Sequence, residues 1–93
     1  MELKLTYLKK AKKFIDRNNI IIEEIDELVI KAVKKKIFNK DENIDIKDLK
    51  GILKGKTRIR KGKIRIIIEI KNNEVIIEAI IENIDFRGNI YKD

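Results

Sequence analysis

Residues 56–81 read KTRIRKGKIRIIIEIKNNEVIIEAII, and their alternation decides the fold. Lys56 to Lys61, Ile64 to Lys71 and Glu74 to Ile81 are rich in Ile and Val and contain no proline, so they read as three strands. Short turns between them imply an antiparallel meander. Gly62-Lys63 has glycine first, as a type II′ hairpin turn prefers. That turn sets Lys61 opposite Ile64, Arg60 opposite Arg65, Ile59 opposite Ile66 and Arg58 opposite Ile67. A two-residue loop at Asn72-Asn73 sets Lys71 opposite Glu74, Ile70 opposite Val75, Ile68 opposite Ile77 and Ile66 opposite Ala79. Opposed residues share a face. One face therefore collects Ile59, Ile64, Ile66, Ile68, Ile70, Val75, Ile77, Ala79 and Ile81, a seat for helices. The other collects Arg58, Arg60, Arg65, Ile67, Glu69, Ile76, Glu78 and Ile80.

On that second face Arg60 and Arg65 are cross-strand neighbours of like charge. Such a pair destabilises a sheet by up to ~1 kcal/mol where opposite charges would help. Folding alone gives no reason to choose it, whereas an anion held between the two forks reverses the sign. The alternative is that Glu69 or Glu78 neutralises them across the face.

Working outward, Glu2 to Leu5 alternates as a short first strand, and Thr6 is placed to cap the next element. Leu8, Ala11, Phe14 and Ile15 fall at helical spacing toward Arg17, and Asn18-Asn19 breaks that helix. Ile21, Ile22, Ile25, Leu28, Val29, Ala32, Val33 and Ile37 form the apolar stripe of a second helix, interrupted by Lys36. Glu23, Glu24, Asp26 and Glu27 near its start and Lys34 to Lys36 near its end complement the helix dipole. Ile44 to Lys54 has no steady period and reads as a loop tucking in Ile46, Leu49 and Leu53, bracketed by Gly51 and Gly55. Ile84, Phe86, Ile90 and Tyr91 need burial, so the C-terminal segment or a partner covers Ile67, Ile76 and Ile80.

The whole chain is 93 residues, one domain's worth, expected to bury roughly 65% of its extended surface. It holds 23 Lys plus Arg against 16 Asp plus Glu, a net charge of +7. Cysteine and histidine are absent, which excludes thiolate or imidazole metal sites and Cys–His or Ser–His chemistry. Any general base is then Asp, Glu, Lys or Tyr. The 43% hydrophobic content is not that of a disordered chain. No stretch is apolar enough for a membrane span, so the expectation is a soluble cytoplasmic protein with an anionic partner. The charge is concentrated: Lys47, Lys50, Lys54, Lys56, Arg58, Arg60, Lys61, Lys63 and Arg65 oppose only Asp48. Such a window raises the local population of phosphates.

The run from Arg58 to Ile70, RIRKGKIRIIIEI, resembles the "RLRVGDYRVIYEI" signature of the RelE/ParE toxin superfamily. The lead-in IKDLKG at 46–51 is similar to that family's "LKG" approach, and FRGNIY at 86–91 to its terminal "HR..VY" element. The resemblance spans nearly the whole chain and is motif-strong from Ile46 to Tyr91. It implies a single RelE-like toxin domain over residues 1–93. The fold class would be α+β, with two N-terminal helices on one face of an antiparallel sheet of about four strands. It further implies a type II toxin neutralised by a cognate antitoxin within a hetero-oligomer. The RelE branch, favoured here, cuts messenger RNA on the ribosome, whereas the ParE branch poisons DNA gyrase. The family's basic positions fall on Arg58 and Arg60, on Arg65 just after the turn and on Arg87, and its terminal tyrosine on Tyr91. This chain departs at Phe86, where many members carry histidine, and at Ile64 and Ile68, where the signature has tyrosines.

The chemistry implied is attack of the RNA 2′-hydroxyl on the adjacent phosphate, with no metal and no cofactor. Arg65 and Arg87 would clamp the phosphate as charge builds in the transition state. Arg58 and Arg60, with Lys54, Lys56 and Lys63, would hold the backbone. The proton acceptor is either Tyr91, its phenolate favoured by positive neighbours, or a clustered lysine such as Lys56 or Lys63. A gyrase poison would need no residues around a scissile phosphate. A plain nucleic-acid-binding module would want stacking aromatics, and the window from Lys47 to Arg65 has none. An inactive antitoxin-binding relative is the remaining alternative.

Overall fold

A computed structural model describes residues 2–73 and 75–90. Strand β1 (Glu2–Tyr7) leads into helix α1 (Lys9–Arg17) and helix α2 (Ile22–Ile37). Strand β2 (Asp45–Asp48) follows, then a 3-10 turn at Gly51–Leu53 and strands β3 (Lys56–Lys61), β4 (Ile64–Asn72) and β5 (Ile76–Phe86). The sheet order is β1-β5-β4-β3-β2, with β1 parallel to β5 and the other pairings antiparallel. The expected α+β class with both helices on one face holds. The sheet has five strands and is mixed, rather than antiparallel with about four. The extra strand is β2, inside the stretch read as loop, where four residues are too few to show a period.

The core lies between the helices and one face of the sheet. Ile59, Ile66, Ile68, Ile77, Ile81 and Ile84 are fully buried there, against Ala11, Phe14, Ile25, Val29 and Val33. Each such isoleucine contributes on the order of 1.5–3 kcal/mol by leaving water. Phe14 meets Phe86 edge-on, ring centroids 5.0 Å apart, tying α1 to the end of β5. The break at Asn18-Asn19 is as expected. Asn19 takes φ +52, and Ile20 N–H donates to the Ile15 carbonyl at 3.0 Å, a glycine-free version of the usual left-handed helix stop. Thr6 does not cap α1. It belongs to β1, and its hydroxyl donates to Glu78 at 2.6 Å, because parallel pairing with β5 continues to Tyr7. Lys36, the interruption in the apolar stripe of α2, reaches buried Thr57 Oγ1 at 3.0 Å and pairs with Asp48.

The first hairpin has the predicted register throughout, Arg60 opposite Arg65 included. Gly62 sits at φ +58 while Lys63 stays outside the left-handed region, as a type II′ turn requires. The second hairpin differs. Asn72 pairs with Ile77, so the loop is four residues rather than two, held by Asn73 Oδ1 accepting from the Val75 and Ile76 N–H groups at 2.9 and 2.7 Å. The pairing slides by an even number of residues, so Ile77, Ala79 and Ile81 still face the core; Val75 falls in the loop and is exposed. Strand β5 also runs past Ile81. Ile67 pairs with Asn83 but Ile68 pairs with Ile81, leaving Glu82 as the extra residue of a β-bulge. Glu82 and Asn83 therefore face the same side, and the core positions change from Ile81 to Ile84.

Tyr7 joins β1 to α2 by donating its hydroxyl to Asp26 Oδ1 at 2.5 Å. Burial, then this bond, push the phenol's pKa above its ordinary value. Among the described residues no helix is long and apolar enough to cross a membrane.

Two outcomes test this packing. In chemical denaturation Ile68→Ala should cost about 2–5 kcal/mol, while Ile52→Ala, at a fully exposed position, should stay within ~0.5 kcal/mol. The unfolded chain gives up its tyrosine proton first, so the Tyr7 contribution is complete below about pH 10 and declines above it. Denaturation midpoints of Tyr7→Phe should accordingly fall less steeply than wild type as pH is raised from 9 to 11.

Candidate functional site

The helix-free face of the sheet carries a row of charges across four strands. Asp45 on β2 opposes Arg60 on β3, Arg60 opposes Arg65 on β4, and Arg65 opposes Asp85 on β5. The next row is Lys47, Arg58, Ile67 and Asn83. Arg60 and Arg65 thus lie on one side of the sheet, as the first hairpin's register requires. Neither Glu69 nor Glu78 neutralises them. Asp45 instead pairs with Arg60 and with Arg58, accepting from Arg60 Nε at 2.6 Å and from an Arg58 amino group at 3.1 Å, and leaves Arg65 without a carboxylate among the described residues. This carboxylate escaped the sequence reading because β2 did.

Arg65 turns back on the hairpin, donating to the Gly62 and Ile64 carbonyls at 2.8 and 3.1 Å. Its pKa is held below the ordinary arginine value by partial desolvation first, then by Arg60, Arg58 and Arg87, with Asp45 acting the other way. All four guanidinium groups therefore share one field, and Arg65 remains protonated nonetheless. Arg87 is brought in by the backbone: its N–H donates to the Lys63 carbonyl at 2.7 Å, stapling the chain after β5 to the β3–β4 turn. The bulge is needed for this. Without the extra residue at Glu82, Asp85 would point into the helices and Ile84 away from them, and the backbone bond to Lys63 would fall on Phe86 instead of Arg87. The signal was present in the sequence as Ile81-Glu82-Asn83-Ile84, where the apolar spacing changes from two to three.

The lysines separate. Lys56 is bound to Glu82 at 2.5 Å, both side chains more than two-thirds shielded. Lys54 sits in a 580 Å³ recess near the β2–β3 edge with Lys36, Asp48 and Lys50. Lys63 is exposed in the turn. Tyr91 lies outside the described residues. The face thus brings together Arg58, Arg60, Arg65 and Arg87, and adds Asp45, Glu82 and Asn83, which sequence reasoning missed. Among the described residues no group of three or more acidic side chains is placed to hold a metal ion.

This face costs stability. Besides the like-charge pair, Arg58 Nε is buried without a partner among the described residues, worth about 1–3 kcal/mol on its own. An anion between Arg60 and Arg65 would gain charge-assisted bonds and relieve the repulsion. Asp45 competes with that anion for Arg58 and Arg60. Asp45→Asn should bind a generic polyanion such as heparin more tightly than wild type at low salt and with a steeper salt dependence, read by equilibrium titration.

No family model matches the chain, and no curated protein sequence does. Solved structures do. The chain is similar to the YoeB/ParE toxin from Agrobacterium tumefaciens, at 19% identity over 89% of this chain and 97% of that one, with a TM-score of 0.67. It is similar to a RelB–RelE antitoxin–toxin complex from Methanococcus jannaschii, at 26% identity, 88% and 89% coverage and a TM-score of 0.55. A RelBE-type toxin–antitoxin complex from Mycobacterium tuberculosis matches at 16% identity, 94% and 100% coverage and a TM-score of 0.63. The two helices on one face of the sheet and the arginine-bearing hairpin on the other agree with what the sequence signature implied, with one more strand and a parallel edge pairing than it implied: the fold of this chain is that of the RelE/ParE toxin superfamily.

Proposed function

We propose that residues 1–93 form a type II toxin that cuts messenger RNA on the ribosome and so stops translation in the cytoplasm. The observation that carries this reading is the gathering of Arg58, Arg60, Arg65 and Arg87 on one open face, at a local cost to folding that an anionic ligand would offset. Two of the similar structures are toxin–antitoxin complexes. By analogy a cognate antitoxin, encoded beside this chain, holds it in an inactive hetero-oligomer.

In the proposed reaction the 2′-oxygen attacks the adjacent phosphorus, its proton leaves to a base, and the P–O5′ bond breaks as the departing 5′-oxygen takes up a proton from water. The products are a cyclic phosphate and a 5′-hydroxyl. Arg65 and Arg87 stabilise the charge that grows on the phosphoryl oxygens, and Arg58 and Arg60 hold the flanking backbone. Lys56 is occupied by Glu82, which leaves Tyr91 and Lys63 as the proton acceptors to test. Such a basic set with a weak base needs its substrate aligned from outside, which suits a ribosome-dependent enzyme.

Purified protein added to programmed ribosomes should cleave the bound message. Arg65→Ala and Arg87→Ala should keep wild-type circular dichroism and lose about 100-fold or more of the rate. Intact message with folded wild type would set the nuclease reading aside, and gyrase relaxation and cleavage-complex assays would then test the ParE-like alternative.

A further inference from the structure

Ile67 lies on the helix-free face, outside the apolar layer under the helices, yet it is only 3% exposed. Among the described residues Ile90 is the other buried apolar side chain outside that layer. The two line one recess with Leu8 and Leu53, so the chain after β5 folds back over the open face and covers Ile67 there. Three hydrogen bonds hold this returning turn. Arg87 N–H donates to the Lys63 carbonyl at 2.7 Å, Asn89 N–H closes on the Phe86 carbonyl at 3.0 Å, and the Asn83 amide nitrogen donates to the Ile90 carbonyl at 3.3 Å. Gly88, at φ +92, lets the chain reverse between the first and the last of them. The Arg87 side chain is exposed, so no packing aims it, and its direction follows from where its backbone is held.

Asn83 is a poor choice for folding alone. Asparagine is depleted in strands, and here its Oδ1 is buried without a partner among the described residues. An apolar side chain would fill the position without that loss, but it could not reach the Ile90 carbonyl, three residues beyond Arg87. We propose that Asn83 is a positioning residue for Arg87. Its amide and the seat of Ile90 beside Ile67 fix the far end of the turn, as the bond to Lys63 fixes the near end. Pinned at both ends, the turn presents the Arg87 guanidinium to the anion site of Arg58, Arg60 and Arg65. Released at Ile90, it would pivot on one hydrogen bond, and a shift of about 1 Å is enough to cost a reacting site ~100-fold. The bulge enters again here: with Glu82 as the extra residue, Asn83 falls opposite Ile67 in the row of Arg58. The inference rests on the reading of Arg87 as part of the phosphate clamp and names the group that sets it in place.

The test uses the full chain, isotope-labelled for NMR, with inorganic pyrophosphate as the anion at low salt and no ribosomes. In wild type the Nε–H resonances of Arg65 and Arg87 should shift together, with one dissociation constant. Asn83→Leu keeps the bulk of the side chain and removes the donor. It should retain wild-type circular dichroism and the Arg65 response, while the Arg87 response weakens about tenfold or more. Ile90→Ala frees the same end of the turn and should do likewise. On programmed ribosomes Asn83→Leu should lower kcat by about the same factor with KM unchanged, and should cost nothing further in an Arg87→Ala background. Independent titration of Arg65 and Arg87 in wild type, or no shift of either, overturns the proposal. So does an unchanged Arg87 response in the folded variants, or loss of the fold in both, which would make Asn83 and Ile90 structural only. Cleavage that Asn83→Leu leaves intact discards the positioning alone. A message left whole by wild type, while the Arg87 titration still depends on Asn83, discards the nuclease reading and keeps the positioning.

Discussion

Strand β5 serves two neighbours at once, β1 in parallel and β4 antiparallel, and one inserted residue within it governs the rest of the molecule. Up to Ile81 its odd-numbered positions face the helices; after the bulge at Glu82 its even-numbered positions do. Ile84 can therefore extend the core, and Phe86, itself 41% exposed, can meet Phe14 at its edge. The same change of parity delivers Asp85 to the open face and brings the backbone of Arg87 to the hairpin turn. A regular strand would have to turn Ile84 out to solvent and Asp85 toward the helices. Core packing and the arginine cluster are thus two consequences of a single local event, and the core contributes the energy that holds it in place.

The open face is organised in the opposite sense from the core. Two guanidinium groups oppose each other across β3 and β4, a third donor is buried without a partner, and the ion pairs that do form are limited. Asp45 holds Arg58 and Arg60, and Glu82 holds Lys56. Pairs with partly exposed members contribute about 0–1 kcal/mol each, too little to offset the losses. The isoleucines beneath supply many times that amount. A well-filled apolar layer on one side of the sheet lets the other side depart from what folding favours, and such departures mark the places where a ligand completes the structure. Asp45 has a double character in this arrangement. It orients two arginines and also occupies the position an anion would take.

Much of this was readable in advance, and the reasons differ by element. The β3–β4 hairpin is specified locally: a glycine at the first turn position and alternating strands leave one register. The long stripe of α2 and the Asn18-Asn19 stop are likewise local, set by spacing and by a residue that tolerates positive φ. The second hairpin was misjudged because Asn72-Asn73 offers a turn that the Asn73 side chain improves on by bonding to Val75 and Ile76. The error was harmless, since an even slide leaves every side chain on its face. Strand β2 was missed for want of length: four residues at an edge take their conformation from the partner strand rather than from their own composition.

Composition and alternation, by themselves, settle that this chain builds a one-sided sheet with helices over its isoleucine face and an arginine pair on the bare one. Those are properties of nearest neighbours and of a two-residue period, which the chain carries at every point along its length. Which carboxylate restrains the arginines, where Arg87 comes to rest and whether a groove lies beside them depend on contacts between segments distant in sequence. No local preference encodes such contacts. They exist only once β2 has docked on β3, the bulge has turned the end of β5, and the chain after it has been pinned to the hairpin turn.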